Sequence, residues 1–216
     1  RRKFSIFSLT SSLILKPNLN VRHYQNNQSK PMKTNPVNDF ILGQEQNFKI
    51  AASVSVAWRD ARRQVLSEFL DRLESRLKVE LNGWKFEREQ EFYEDSWACL
   101  NFWKPAWDKQ YGLSLMWDGY GKEMIFGVYR DKDNIGERLH CDELLKTVTS
   151  KIQLSVTKRP WWEARIRMKN PAADWSTAEI LWRMHTEAKF LNEVAEQLLD
   201  LERISGTIVD RLAQGK

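Results

Sequence analysis

Four runs of aromatic and β-branched residues lie between Gly83 and Arg130, and they constrain the fold more than any other feature of the sequence. They are GWKFEREQEFY (83–93), SWACLNFWK (96–104), YGLSLMW (111–117) and EMIFGVYR (123–130). Runs of this length and composition are typical of β-strands. The breaks between them are only a few residues long, which favours antiparallel pairing of strands that follow one another in the chain. The sequence therefore predicts a four-stranded antiparallel meander.

Helical periodicity precedes and follows this meander. From Val54 to Val79 a stripe of apolar residues recurs every three or four positions: Trp58, Ala61, Val65, Phe69, Leu73 and Leu77. A second helix is predicted from Ile135 to Lys158. A capping box at Ser176–Glu179 predicts the start of a long helix that runs to about Arg203.

One further short strand, WWEARIRM (161–168), is predicted between the second and the last helix, with Trp161, Glu163, Arg165 and Arg167 alternating against Trp162, Ala164, Ile166 and Met168. The predicted fold class is thus α+β. It is a four-stranded antiparallel meander flanked by amphipathic helices, with one extra short strand and a long C-terminal helix.

Residues 1–47 differ in composition from the rest of the chain. They hold seven basic and two acidic residues, which accounts for the whole net charge of +5, because the remaining residues carry 27 of each sign. They are rich in asparagine and proline, so we expect a disordered basic tail or an upstream extension, with order from near Ile50 and one α+β domain over 48–216. Since MKTNPVNDF at Met32 reads like a natural start, residues 1–31 are expected to be an extension or part of a longer chain. The basic charge belongs to this tail and gives no argument that the folded body binds DNA.

Few features point to catalysis. Cys99 and Cys141 lack the spacing of a disulfide framework or a zinc site, and two reduced cysteines are expected in a cytoplasmic protein. The sequence contains no G-x-G-x-x-G, G-x-x-x-x-G-K-[ST], H-E-x-x-H or G-x-S-x-G motif. His140 beside Cys141 does not predict a dyad, because neighbours on a helix point about 100° apart. No catalytic residue, metal, cofactor or membrane contact is therefore expected.

Ten tryptophans raise the question of what such rings do here. Trp97, Trp117 and Trp162 lie in strand phase and are expected to wall the core. Others lie at predicted strand ends beside cations, where rings can stack on single-stranded bases, although packing or sugar binding next to acids would use the same residues. The candidate nucleic-acid-binding residues are Trp103, Lys104, Trp107, Lys109, Arg159 and Trp161. Trp107 is expected at an exposed rim, where its loss would leave the melting temperature nearly unchanged.

The stretch LNFWKPAWDKQYGLSLMWDGYGKEMIFGVYRDKDN (100–134), with its flanking helices, resembles the C-terminal part of a group of bacterial proteins in the PD-(D/E)XK nuclease superfamily. The similarity lies in an aromatic-Lys-Pro-x-Trp turn followed by a strand pair that ends in a Gly-[Ile/Val] strand. The matching residues are Phe102, Trp103, Lys104, Pro105, Trp107, Gly112, Phe126, Gly127 and Val128. The match runs from about Val56 to Asn134 and includes no catalytic residue. The resemblance implies a non-catalytic accessory or binding module that engages nucleic acid or a protein partner such as a nuclease.

Two alternatives stay open. Nucleases of that superfamily resemble one another in an Asp on one strand and a Glu-x-Lys on the next, which hold a divalent metal and position water. Glu187-Ala188-Lys189 has this spacing but lies in the predicted long helix, whereas Glu163-Ala164-Arg165 lies on a strand with Arg in place of Lys. One alternative is therefore a magnesium-dependent nuclease with a degenerate site formed by Asp131, Asp133, Glu163 and Arg165. The other is a structural protein-interaction domain.

Overall fold

The structure is a computed structural model that describes residues 35–88, 97–118, 123–131, 140–169 and 172–215. The chain divides into two units between Phe48 and Lys49. In the first unit, helix α1 (Pro36–Leu42) begins after Asn35, whose side chain accepts a hydrogen bond from the backbone N–H of Val37 at 3.0 Å. Helix α2 spans Glu45–Glu80. Among the described residues, helical structure is thus present from Pro36, ahead of the expected start of order near Ile50.

An antiparallel sheet organises the second unit. Its strands are β1 (Lys85–Arg88), β2 (Cys99–Trp103), β3 (Tyr111–Asp118), β4 (Glu123–Arg130), β5 (Val156–Arg159) and β6 (Trp162–Arg167). The order across the six-stranded sheet is β1-β2-β3-β4-β6-β5. The α+β class and the four-stranded meander are confirmed. Strand β5 is the difference, since the sequence predicts helix up to Lys158, yet β5 pairs with β6 as a hairpin beside β4.

Three further helices complete the described part of the unit: α3 (Asp142–Lys151), α4 (Ala178–Thr186) and α5 (Ala188–Ala213). The expected start of α3 at Ile135 lies outside the described residues. The long C-terminal helix is confirmed as α5, but it does not begin at the predicted capping box, because Glu187 has an extended backbone (φ −106°, ψ 104°) that ends α4 before α5 begins. The N-cap of α4 is Thr177, one residue after the predicted Ser176, and its hydroxyl accepts from the N–H of Ile180 at 3.4 Å.

The hydrophobic core lies on one face of the sheet. Its rows follow the register, so that Phe102 pairs with Leu113, Leu113 with Val128, and Val128 with Ala164. Helices α2, α3, α4 and α5 pack buried residues into the same cluster. The predicted stripe of α2 is buried at Phe69, Leu73 and Leu77, whereas Trp58 is 44% exposed.

Aromatic rings lie over glycines on the opposite face of the sheet. A Cβ atom at Gly112 would lie 2.3 Å from a ring carbon of Tyr129, and one at Gly127 would lie 3.1 Å from the ring of Trp162. Trp162 reaches this face because the pairing of β4 with β6 shifts register next to Tyr129, which adds Glu163 to β6 as an extra residue. The predicted alternation, which placed Trp162 on the same face as Ala164, is therefore wrong.

Candidate functional site

Two tryptophans, Trp107 and Trp97, have the opposite exposure to the one expected. Trp107, expected at an exposed rim, is 1% exposed, and its Nε1–H donates to Asp210 Oδ1 at 2.8 Å. Trp97, expected in the core, is 47% exposed. Trp162 is buried, and Trp117 is half-buried against the core.

Four of the six candidate nucleic-acid-binding residues gather around a 3-10 turn at Pro105–Trp107. Lys104 Nζ lies 2.9 Å from Asp210 Oδ2 and 5.2 Å from the ring centroid of Trp107. Lys109 Nζ lies 2.7 Å from Glu87 Oε2 and 4.9 Å from the ring centroid of Trp103. Both cations are therefore already matched with a carboxylate and an aromatic face. This arrangement holds the turn against α5 and β1.

The other two candidates, Arg159 and Trp161, lie at the β5–β6 turn, which is a different part of the sheet. Trp161 is 48% exposed and contributes to a cavity on the opposite face of the sheet from the core. The structure thus does not join the six residues into one surface.

Glu163 and Arg165 of the degenerate nuclease site make other contacts. Glu163 is 1% exposed, with Oε1 3.1 Å from Arg130 Nη1. Its Oε2 accepts from the backbone N–H of Cys141 at 2.9 Å and lies 3.3 Å from His140 Nδ1. Arg165 pairs instead with Asp118. Sequence reasoning missed the contact of His140 with Glu163, which ties the start of α3 to β6.

The part of the chain that the structure describes contains no evident metal site. No group of three or more His, Cys, Asp or Glu side chains there is placed to hold an ion. Asp133 lies outside the described residues. Glu187 of the acid-x-Lys triplet pairs with Arg183, its Oε2 lying 3.0 Å from the Arg183 Nε, while Lys189 lies near Glu193.

A groove of about 550 Å³ lies between α2 and α4, which we name the α2–α4 groove. It is lined by Trp58, Ala61, Arg62, Gln64, Val65 and Glu68 of α2 and by Ala178, Leu181, Trp182 and His185 of α4. It exists because α2 leaves the core: Leu66 is 4% exposed, but Val54 is 60% exposed. Trp182 of α4 is 66% exposed. Both walls of the groove therefore present large apolar side chains to solvent.

Contacts below the α2–α4 groove fix its two walls relative to each other. Arg72 of α2 donates to the backbone carbonyl of Met184, near the C-terminal end of α4. Phe69 meets the ring of Trp175 edge-on at 5.3 Å between centroids, just before α4. The groove is thus built on rigid elements.

The α2 wall of this groove carries one cation and one carboxylate, Arg62 and Glu68, and α2 becomes basic towards its N-terminal end. Residues 49–65 carry four basic side chains and one acidic side chain. The Nε of Arg62 is buried and finds no hydrogen-bond partner among the described residues. The carboxylate of Glu68 accepts from Gln64 Nε2 at 2.8 Å. The groove therefore combines apolar walls with a cation that has unused hydrogen-bonding capacity.

A second cavity, which we name the sheet cavity, has a volume of about 340 Å³ on the face of the sheet opposite the core. It is lined by Asn101, Ser114, Met116, Tyr129, Arg130, Asp131, Trp161 and Trp162. Ser114 is 0% exposed, and its Oγ has no hydrogen-bond partner in the described part of the chain. Burial, followed by the nearby charges of Asp131 and Glu87, raises the pKa of the Tyr129 hydroxyl, so this group stays neutral.

The described part of the chain is an antiparallel α+β domain that has a groove between two helices and a cavity lined by aromatic side chains. No family model, curated protein or solved structure matches the chain. Among the described residues, no helix is both long and apolar enough to cross a bilayer.

Only part of either cavity was visible in the sequence. The α2 stripe includes Trp58 and Val65, but periodicity alone does not say where a helix leaves its core. Trp182 falls outside the apolar stripe of the last helices, and a large ring in such a position is a signal for an exposed contact surface.

Proposed function

We propose that this chain is a non-catalytic binding module that holds an amphipathic helix of a partner protein in the α2–α4 groove. The observation that carries the proposal is an apolar groove between two helices with Trp58 and Trp182 exposed on its opposite walls. Amphipathic helices bind such grooves through apolar side chains spaced three, four and seven residues apart. Tryptophan is also enriched among the residues that dominate binding energy.

Charge selects an acidic partner over a second copy of this chain. A carboxylate on the bound helix would pair with Arg62 and complement the excess of basic residues over positions 49–65 of α2. The exposed part of α2 from residue 49 to 59 contains no acidic residue, so the same helix from a second copy would bring like charges together. We therefore commit to a heterologous, acidic amphipathic helix as the occupant.

The resemblance to PD-(D/E)XK nuclease proteins supports the choice of the first partner to test. Within this proposal the module lacks catalysis of its own and attaches to a bacterial nuclease that supplies it. Purified protein with Mg²⁺ is expected to leave plasmid and single-stranded DNA intact. Cleavage that requires Mg²⁺ and is lost in a Glu163→Gln variant would instead support the degenerate nuclease site.

Fluorescence polarisation with labelled helical peptides tests the groove directly. The probe is an acidic amphipathic peptide with two large apolar residues one turn apart, and its matched control has each Glu replaced by Lys. We expect Trp58→Ala and Trp182→Ala each to weaken binding of the acidic peptide about tenfold or more. Arg62→Glu is expected to reverse the charge preference.

Trp161→Ala is the matched control, since it removes a tryptophan of similar exposure outside the groove. Its affinity for the acidic peptide should equal that of the unchanged protein. Tighter binding of the Lys peptide would contradict the proposal. So would a dimer in sedimentation experiments that Trp182→Ala dissolves, because the occupant would then be a second copy.

A further inference from the structure

We propose that the sheet cavity binds one flat, uncharged heteroaromatic ring that donates and accepts hydrogen bonds, which is the chemistry of a nucleobase. This site is separate from the α2–α4 groove, with which it shares no lining residue. The inference therefore goes beyond the proposed function and does not depend on it.

The buried hydroxyl of Ser114 favours a polar ligand in the sheet cavity. Its side chain is fully buried, lines the cavity and has an Oγ without a hydrogen-bond partner among the described residues. A hydroxyl left in this state costs free energy, so buried polar groups of this kind call for an explanation. A ligand with a ring nitrogen or an exocyclic group that reaches Ser114 would satisfy it.

The aromatic side chains that line the cavity favour a flat ligand. Trp161 is 48% exposed, so its indole face is accessible, and Tyr129 is half-buried with its ring against Gly112. The Tyr129 ring lies over Gly112, close to the sheet, and lines the cavity. A flat ligand can stack on such surfaces without regard to which base it is.

Charge around the cavity favours a neutral ligand. Arg130 is paired with Glu163 at 3.1 Å, and the carboxylate of Asp131 would repel a phosphate. The remaining polar groups are uncharged: the Ser114 hydroxyl, the Tyr129 hydroxyl and the Asn101 amide, which donates to Cys99 Sγ at 3.1 Å. A base with its sugar and phosphate directed away from the cavity fits this pattern.

Two-dimensional ¹H–¹⁵N NMR of the full chain tests the proposal, with adenosine and a short single-stranded oligodeoxyadenylate as separate probes. We expect the Nε1–H signal of Trp161, assigned by its loss in Trp161→Ala, to shift on titration. Ser114→Ala should weaken binding about fivefold, and Trp161→Ala about tenfold. Trp182→Ala is the control and should bind unchanged.

The two probes separate the sources of the base. Binding of adenosine at this site indicates a free nucleoside, and binding of the oligonucleotide alone indicates a base within a strand; both support the cavity. Because Ser114→Ala removes an unsatisfied hydroxyl, it should melt at least as high as the unchanged protein, which keeps the test valid. The inference is overturned if neither probe binds, if both variants bind normally, or if glucose shifts the same signals with the same sensitivity to the variants.

Discussion

At the scale of single residues, Trp107 is expected to stabilise the fold, whereas the sequence predicts that its loss leaves the melting temperature nearly unchanged. The indole is 1% exposed, packs edge-on against Trp84 at 5.0 Å and hydrogen-bonds to Asp210. Trp107→Ala should therefore lower the free energy of unfolding by about 3–5 kcal/mol, because it leaves a large cavity. Trp97→Ala, at a ring that is 47% exposed, should lower it by less, roughly 1–2 kcal/mol, because about half of this side chain is in solvent.

Urea denaturation of both variants measures this difference. A Trp107→Phe variant serves as the control for the hydrogen bond, since it keeps a buried ring but gives up the donor to Asp210. It should lose less stability than Trp107→Ala. If Trp107→Ala unfolds at a near-native urea concentration, the result would instead support the exposed position that the sequence predicts for this ring.

Tyr129 gives the fold a dependence on alkaline pH. Burial raises the pKa of its hydroxyl above the ordinary value of 10.0, so the unfolded chain releases this proton at a lower pH than the folded chain does. The stabilisation is thus complete below about pH 10 and is lost as the pH rises above it. The melting temperature of Tyr129→Phe should fall less steeply from pH 9 to pH 11 than that of the unchanged protein. Parallel curves would show that another group causes the alkaline loss.

Sequence reasoning placed residues well within strands but poorly beyond their ends. Period-two alternation put Leu100 and Phe102 on one face, and both are fully buried there. Trp107 is the last residue of a 3-10 turn, where alternation no longer applies, and its partner Asp210 lies 103 positions further along the chain. No local pattern contains that information. The same holds for His140 and Glu163.

At the scale of elements, the pairing of β4 with β6 depends on Gly127. A Cβ atom there would lie 2.0 Å from the backbone oxygen of Ala164, which cannot move without breaking the strand pair. Gly127→Ala should therefore cost about 3 kcal/mol. Gly112→Ala should cost about 1 kcal/mol, because its new methyl group meets the side chain of Tyr129, which can turn aside.

Thermal unfolding of the two glycine variants compares a clash with the backbone of Ala164 and a clash with the side chain of Tyr129. The new Cβ atom would lie at a similar distance from its neighbour in both variants. Equal losses would mean that β6 moves away from β4 as easily as the Tyr129 ring moves. A larger loss at Gly112 would contradict the packing described for this face of the sheet.

The ends of helices and strands follow less directly from the sequence than the strands of the meander do. The meander was predicted because each of its four runs is long and aromatic, whereas β5 has four residues, two of them basic. Such a strand forms because β6 offers it a pairing edge, and this is tertiary information. The break at Glu187 was missed for a related reason, since Ala188 and Leu191 continue the apolar spacing across it.

At the scale of the whole molecule, the two cavities lie on different layers of the second unit. The α2–α4 groove is formed by helices, while the sheet cavity lies on the face of the sheet that lacks the helical core. Variants in one should therefore leave ligand binding at the other unchanged, as expected for sites with no shared partners. A double variant, Trp182→Ala with Ser114→Ala, measured against both the acidic peptide and adenosine, checks this. Losses that exceed those of the single variants would show that the sites are coupled.

The sheet ends on two strands, β1 and β5, whose outer backbone groups have no neighbouring strand in the described chain. Each has only four residues, and each carries two cations: Lys85 and Arg88, and Lys158 and Arg159. Short, charged borders of this kind resist the edge-to-edge stacking by which sheets polymerise. Replacing Lys158 and Arg159 with threonine should barely change the melting temperature, yet light scattering should show fibres or oligomers forming on storage. The solubility of this protein at high concentration thus depends on four border cations, Lys85, Arg88, Lys158 and Arg159, that have no part in its core.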